Sequence, residues 1–236
     1  MVESARQTRR ERLEEREQAI ITAAHEAFVA QGFDGARIAA IAKQAGVAEG
    51  TIYLYFKNKN ALLLAVVGRF YEELTERAAS GVANIVDSFD KLAFIARHHV
   101  DSCILNWPIL EQMSAQYRHL ADYETGAPYE YNKTYVAVFD NVITDAVNNG
   151  LVRSDVPLWI IRDQFFGGLE YSIRTHLLRG GSAEDLDTVV ANAVDVLRQG
   201  IGVADSGPQR SAWMNSVVQR LEQVTERLEK TSEDRC

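Results

Sequence analysis

The residues with the most specific chemical potential lie at positions 37–56, RIAAIAKQAGVAEGTIYLYF. Ile38, Ile41, Ala42 and Ala45 recur at helical spacing, Gly46 interrupts them, and a second short run carries Ile52 and Phe56 four apart. Two short helices about a tight glycine turn predict a helix-turn-helix, whose second helix fits the major groove of DNA. With Ile52 and Phe56 turned inward, Thr51 and Tyr55 share the opposite face and Tyr53 lies beside them. Their three hydroxyls suit phosphate oxygens, Gly50 permits close approach of the backbone, and Lys57 and Lys59 supply neutralising charge. The plain alternative is a helical hairpin with a solvated Lys-Asn-Lys corner.

Other reactive-looking groups carry less. His99 and Cys103 stand four apart on one helical face, but zinc needs three or four ligands and no further His/Cys cluster is local. They read as structural, with His98 a helix-surface or pocket residue. Asp163 and Glu170 are seven apart, two helical turns or ~10.5 Å, too far for an acid–base pair. No GxSxG, HExxH, phosphate-binding loop or dinucleotide fingerprint appears. No catalytic residue, metal or cofactor is expected, and the chain reads as a non-enzyme. Gly167-Gly168, inside a helical pattern, costs roughly 1 kcal/mol per glycine, so close approach of a second helix or a ligand is expected there.

The elements that must position these groups read as helices throughout. Only four prolines occur in 236 residues, and alternating β-branched runs are scarce. Ile20, Ala24, Ala27 and Phe28 form a first stripe, stopped by Gly32. A long helix from about residue 60 carries Leu63, Val66, Val67, Phe70 and Leu74. Further helices are expected near 87–106, 108–120, 127–149, 156–179 and 183–200, with Pro108, Pro128 and Pro157 at their starts. Residues 202–210 look like a linker. Val217, Leu221, Val224 and Leu228 beyond it suggest an extra amphipathic helix at 210–230 that docks on the body or on a second copy.

The net charge of −8 is unevenly spread. Residues 1–60 hold nine Lys/Arg against eight Asp/Glu, a net +1, and the remainder nets −9, so the amino-terminal part escapes the acidity of the rest. Arg6, Arg9, Arg10, Arg12 and Arg16 are interleaved with glutamates. They read either as an arm toward phosphate or as a charge-balanced extension, the latter favoured for Arg12 and Arg16. No apolar stretch is long enough to span a membrane. Two distant cysteines, Cys103 and Cys236, make no disulfide framework and fit a reducing cytoplasm.

Residues 33–63 resemble the DNA-binding domain of TetR-family repressors. The likeness is carried by Ile41-Ala42, Ala45-Gly46-Val47, Gly50-Thr51-Ile52-Tyr53, Tyr55-Phe56, Lys59 and Leu62, and is strong over about 14–75. It implies an all-α protein: a three-helix helix-turn-helix domain followed by a helical domain for ligand binding and dimerisation. The expected division is a flexible arm at 1–13, the reader at 14–75, the regulatory domain at 76–202, and a linker with the extra helix at 203–236. The implied DNA contacts are Arg37, Ala39, Ala48, Glu49, Gly50, Thr51, Tyr53, Tyr55, Lys57 and Lys59. The sequence departs from the family at Arg37 and Ala48, where threonine and serine caps usually stand. A lost cap costs ~1 kcal/mol, so either Asp34 and Glu49 compensate or packing does. At Ala39 only a methyl is offered, suited to a thymine methyl.

The resemblance further implies a homodimeric repressor, released from a palindromic operator when a small hydrophobic effector binds. The dimer would pair the last two helices, through Phe165, Gly167, Gly168, Leu186, Val190, Ala193 and Leu197. Residues 41–59 look especially like the fatty-acid-degradation (FadR-type) branch, which responds to long-chain acyl-CoA. An acyl tunnel could draw on Phe94, Cys103, Trp107, Met113, Phe139, Phe166 and Leu169, with Arg97, Arg118 and Arg174 for the phosphates. Aromatic or cationic drugs form the competing effector class and would favour Glu170, Tyr171 and Trp107. The rival of another class is a helical enzyme or carrier without DNA function.

Overall fold

The computed structural model describes residues 2–117 and 126–203, and among them the regular structure is nine α-helices. These are α1 (Val2–Gly35), α2 (Ile38–Gln44), α3 (Glu49–Tyr55), α4 (Lys59–Val82), α5 (Ser88–Leu105), α6 (Trp107–Tyr117), α7 (Ala127–Asn148), α8 (Leu158–Arg179) and α9 (Ala183–Ile201). The expected extra helix at 210–230 and Arg118 lie outside the described residues.

Local chemistry sets most of the ends. Gly32 takes φ 71°, which breaks α1 one turn before its end, and Gly46 takes φ 68° in the turn between α2 and α3. Asn58 caps α4 by accepting from the Ala61 amide at 2.8 Å. Asp87 caps α5 through two amides at 2.9 Å, and Ser182 with Asp185 forms a capping box on α9. Arg37 and Ala48 make no side-chain cap bond, so packing is what holds α2 and α3. Residues 2–13, where a flexible arm was expected, are drawn as the first part of α1. The i,i+4 pair Arg10–Glu14, at 2.7 Å, shows the kind of contact that favours helix there.

Two cores divide the molecule, and α4 runs through both. The lower core gathers Ile20, Ala24 and Phe28 of α1, Ile41 of α2, Ile52 of α3 and Leu63 and Val67 of α4. The upper core begins at Phe70 on the same helix and is closed by α5, α7, α8 and α9. Residue 75, the expected boundary, therefore lies inside α4. Two glycines let neighbours close on this helix. A Cβ at Gly81 would run into the Phe94 ring, and one at Gly68 would meet the Tyr131 hydroxyl at 2.9 Å. An antiparallel bridge between Val152 and Gly202 ties the α7–α8 loop to the end of α9.

Candidate DNA-reading surface and effector-sensing core

Two residues seat α3 in the lower core. Ile52 and Phe56 are buried in the lower core, four apart as the sequence demands. Ala48, Glu49 and Gly50 lie exposed at the start of α3, Tyr53 is 51% exposed and Lys57 is exposed just past the helix. Arg37 and Ala39 are exposed on α2, and Thr51 is half-buried. Leu54, at 83% exposure, is the side chain that reasoning from hydroxyls and charges passed over. Its signal was present, since position 54 is about 200° around the helix from both Ile52 and Phe56.

Two of the expected contacts turn elsewhere. Lys59 sits over the Phe33 ring, 4.7 Å from its centroid, and its ammonium donates to the Asp34 carbonyl at 3.4 Å. It fastens the start of α4 to the end of α1 instead of reaching out toward phosphate. Tyr55 packs half-buried against the lower core, tilted on Phe56 at 6.3 Å. Spacing places a side chain on a face but does not reveal that a neighbouring helix end covers it.

The regulatory half holds a filled core where a tunnel was expected. Cys103, Phe139, Phe166 and Leu169 are brought together and buried, with Trp107 packed against them. Phe166 is the hub, with ring centroids 5.0 Å from His99, 5.6 Å from Tyr135, 5.4 Å from Phe139 and 5.1 Å from Phe165. Other expected tunnel residues are placed differently. Phe94 closes on Gly81 and stacks on His98, because the glycine leaves the only room for its ring on that side. Met113 belongs to the lower core, since α6 tucks beneath α1 and α4. Arg97 pairs with Asp187 of α9 and with Asp101 at 3.6 Å, which engages its charge on the outer face. Tyr171 and Arg174 are exposed, pointing away from this core.

Sequence reasoning missed Tyr135, although Tyr131, Tyr135, Phe139 and Val142 step along one stripe of α7. Its hydroxyl lies 3.2 Å from Nδ1 of His99, while Cys103 Sγ is 3.8 and 3.6 Å from the two ring nitrogens. Burial holds His99 neutral by lowering its pKa to about 3, with His98 adding to the effect. Burial raises the Cys103 thiol and the Tyr135 phenol, and the nearby Glu170 charge pushes both further up. All three are therefore uncharged hydrogen-bonding groups.

Asn106, between α5 and α6, joins the two halves. Its Nδ2 donates to the Ser102 carbonyl at 2.7 Å, and its Oδ1 lies 2.6 Å from Nε2 of His25 on α1. A cleft of about 720 Å³ opens beside this contact between α1 and α4. Asn106 lies three residues beyond Cys103, so the upper polar cluster and the hold on α1 share the last turn of α5.

The described residues leave an open groove on the α8–α9 face. A groove of about 450 Å³ is lined by Phe165, Gly168, Ala193, Val196, Leu197 and Gly200, among others. A Cβ at Gly167 or Gly168 would meet nothing within 4 Å, so no other described helix makes the close approach expected there. Trp159, Tyr171, Leu178 and Val196 are exposed on the same two helices. Of the residues expected to pair copies, Phe165, Val190 and Leu197 are largely buried in their own core. Leu186 and Ala193 are half-buried.

Residues 20–66 match the family described as bacterial regulatory proteins, tetR family. The fatty acid metabolism regulator protein of Bacillus subtilis is 27% identical over 189 residues, covering 77% of this chain and 93% of the relative. A crystal structure of the FadR transcriptional regulator from Bacillus subtilis in complex with stearoyl-CoA superposes with a TM-score of 0.66 at 26% identity. It covers 78% of this chain and 98% of the other. The fatty acid degradation regulator FadR of Bacillus halodurans shares the fold, with TM-score 0.66, 23% identity and coverage of 78% and 95%. The seated recognition helix, the second helical core and these likenesses agree. Residues 20–66 thus carry a tetR-family helix-turn-helix domain, and the chain is similar over most of its length to the fatty acid metabolism regulators of Bacillus.

Proposed function

We propose that this chain is a homodimeric, cytoplasmic, non-enzymatic repressor, released from a palindromic operator by a long-chain fatty acyl thioester. The observation that carries the effector class is the extent of the likeness. It runs through 98% of a protein solved with stearoyl-CoA, and so takes in the regulatory half along with the DNA reader. The aromatic core at Phe139, Phe165 and Phe166 supports the reading, because rings in a hub can repack around an acyl chain. Dimer formation through the α8–α9 face is supported by its open groove and its unapproached glycines. Two copies then present two α3 helices to half-sites about 34–36 Å apart.

The phosphate and base contacts assigned to this surface are Arg37, Ala39, Ala48, Glu49, Gly50, Thr51, Tyr53 and Lys57, with Leu54 added and Lys59 in a supporting place. The test is titration of the complex with its own promoter DNA, using C12–C18 acyl-CoAs, free CoA and a cationic aromatic dye. Release by acyl-CoA alone is expected. Release by the dye with none by any acyl-CoA would replace the acyl reading with that of a multidrug sensor.

A further inference from the structure

The polar groups within the upper core call for an explanation. His99 is 4% exposed, Cys103 3% and Tyr135 2%, amid Phe139, Phe166 and Leu169. Burying hydrogen-bonding groups among apolar ones costs free energy unless each is satisfied, and a core of leucines would avoid that cost. Here the count does not close. If the Tyr135 hydroxyl donates to Nδ1 of His99, then the Nε2–H faces only the Cys103 sulfur, a weak acceptor at 3.6 Å. If instead Nδ1–H donates to the phenol oxygen, the phenol proton has no oxygen or nitrogen acceptor among the described residues. In either tautomer, one strong donor of the pair is left without an oxygen or nitrogen acceptor among the described residues.

We infer that Tyr135 and His99 form the anchor for an uncharged carbonyl oxygen of the effector, and that this anchor selects a fatty acyl thioester over the free fatty acid. The inference rests on the acyl reading above and adds what that reading leaves open, namely which atom of the ligand is recognised and by what. A carbonyl oxygen is an acceptor without a proton and takes up the surplus donor. A carboxylate would also accept, but it would bring a negative charge beside a His99 that burial holds neutral. His99 stays neutral there, and the Glu170 charge is close enough to act on both Cys103 and Tyr135. The Phe166 ring, edge-on to His99 at 5.0 Å, occupies the space the acyl group would take and must swing aside. Rings at Phe139 and Phe165, 4.7 Å apart, continue the apolar path beyond it. The thioester carbonyl thus meets the polar groups of an otherwise aromatic cluster.

The experiment compares three ligands on the full-length protein by direct binding: palmitoyl-CoA, its thioether analogue S-hexadecyl-CoA (which lacks only the carbonyl oxygen), and palmitate. The wild type should bind the thioester about tenfold more tightly than the thioether, the worth of one buried hydrogen bond, and should bind palmitate more weakly than the thioester. Tyr135→Phe, which removes one oxygen and keeps the ring, should bring thioester and thioether together. Equal affinity of the wild type for thioester and thioether overturns the inference, as does a Tyr135→Phe variant that keeps the full difference. If neither CoA compound binds while the cationic dye does, the acyl reading itself has failed, and the inference fails with it.

Discussion

The two cores of this protein are built to different rules. The lower core, under α3, is built from apolar residues: Ile20, Phe28, Ile41, Ile52, Leu62 and Leu63 are all but fully buried, and no buried polar side chain interrupts them among the described residues. The upper core surrounds the buried His99, together with the Tyr135 hydroxyl and the Cys103 thiol. A core that only has to hold a surface rigid needs shape and hydrophobicity. One that recognises a molecule and moves needs groups whose hydrogen bonds are incomplete, and rings that can repack. The contrast assigns rigid display to the lower half and response to the upper.

The largest test separates the halves by cavity formation. Phe166→Ala should cost about 3–5 kcal/mol in denaturant unfolding, and Ile52→Ala about 2–5 kcal/mol. Their functional effects should diverge. Phe166→Ala removes the ring that fills the acyl space and alters effector affinity while operator binding persists. Ile52→Ala unseats α3 and abolishes operator binding while acyl-CoA binding persists. Mutants that lose both functions together would erase the division.

Acid stability gives the next contrast. The folded-state pKa of His99 is depressed from 6.5 to about 3, so below pH 6.5 the unfolded chain takes up a proton that the native state refuses. Stability should fall as pH drops from 6.5 toward 3, and be fully present above 6.5. His99→Phe should flatten that part of the profile, as measured by unfolding at pH 4, 5 and 7. An unchanged slope would mean that His99 is charged or solvated in the native state.

A smaller effect is expected where the halves meet. Asn106→Ala removes the hold on His25 while leaving both cores intact. Acyl-CoA and operator should each still bind, but the loss of operator affinity on adding acyl-CoA should shrink about fivefold, roughly 1 kcal/mol of coupling. Full coupling in Asn106→Ala would show that this contact does not connect them. The smallest effect is a gain: Ala48→Ser should supply the missing cap on α3 and stabilise the reader by about 1 kcal/mol in thermal unfolding.

Legibility in the sequence follows the same division. Each helix from α5 to α9 lies within about three residues of its expected span, because a 3.6-residue stripe and the flanking Asp, Ser, Pro and Gly signals are local facts. The recognition helix was legible for the same reason, since Ile52 and Phe56 orient it. What was not legible depends on pairs of helices. Lys59 looked like a phosphate contact until Phe33 and Asp34 came beside it. Arg97 looked like a ligand's counter-charge until α9 brought Asp187 to it, and Met113 like a tunnel wall until α6 passed under α1. His25 and Asn106 are 81 positions apart, and nothing in their local patterns announces their contact.

The central claim is that occupation of the upper core sets the affinity of the lower half for DNA, and linkage makes it directly measurable. The affinity of the intact protein for palmitoyl-CoA should be determined with and without saturating operator DNA, beside the affinity for operator with and without saturating palmitoyl-CoA. The account predicts that each ligand weakens the other by the same factor, about 5- to 150-fold. An affinity for palmitoyl-CoA that operator DNA leaves unchanged would contradict it.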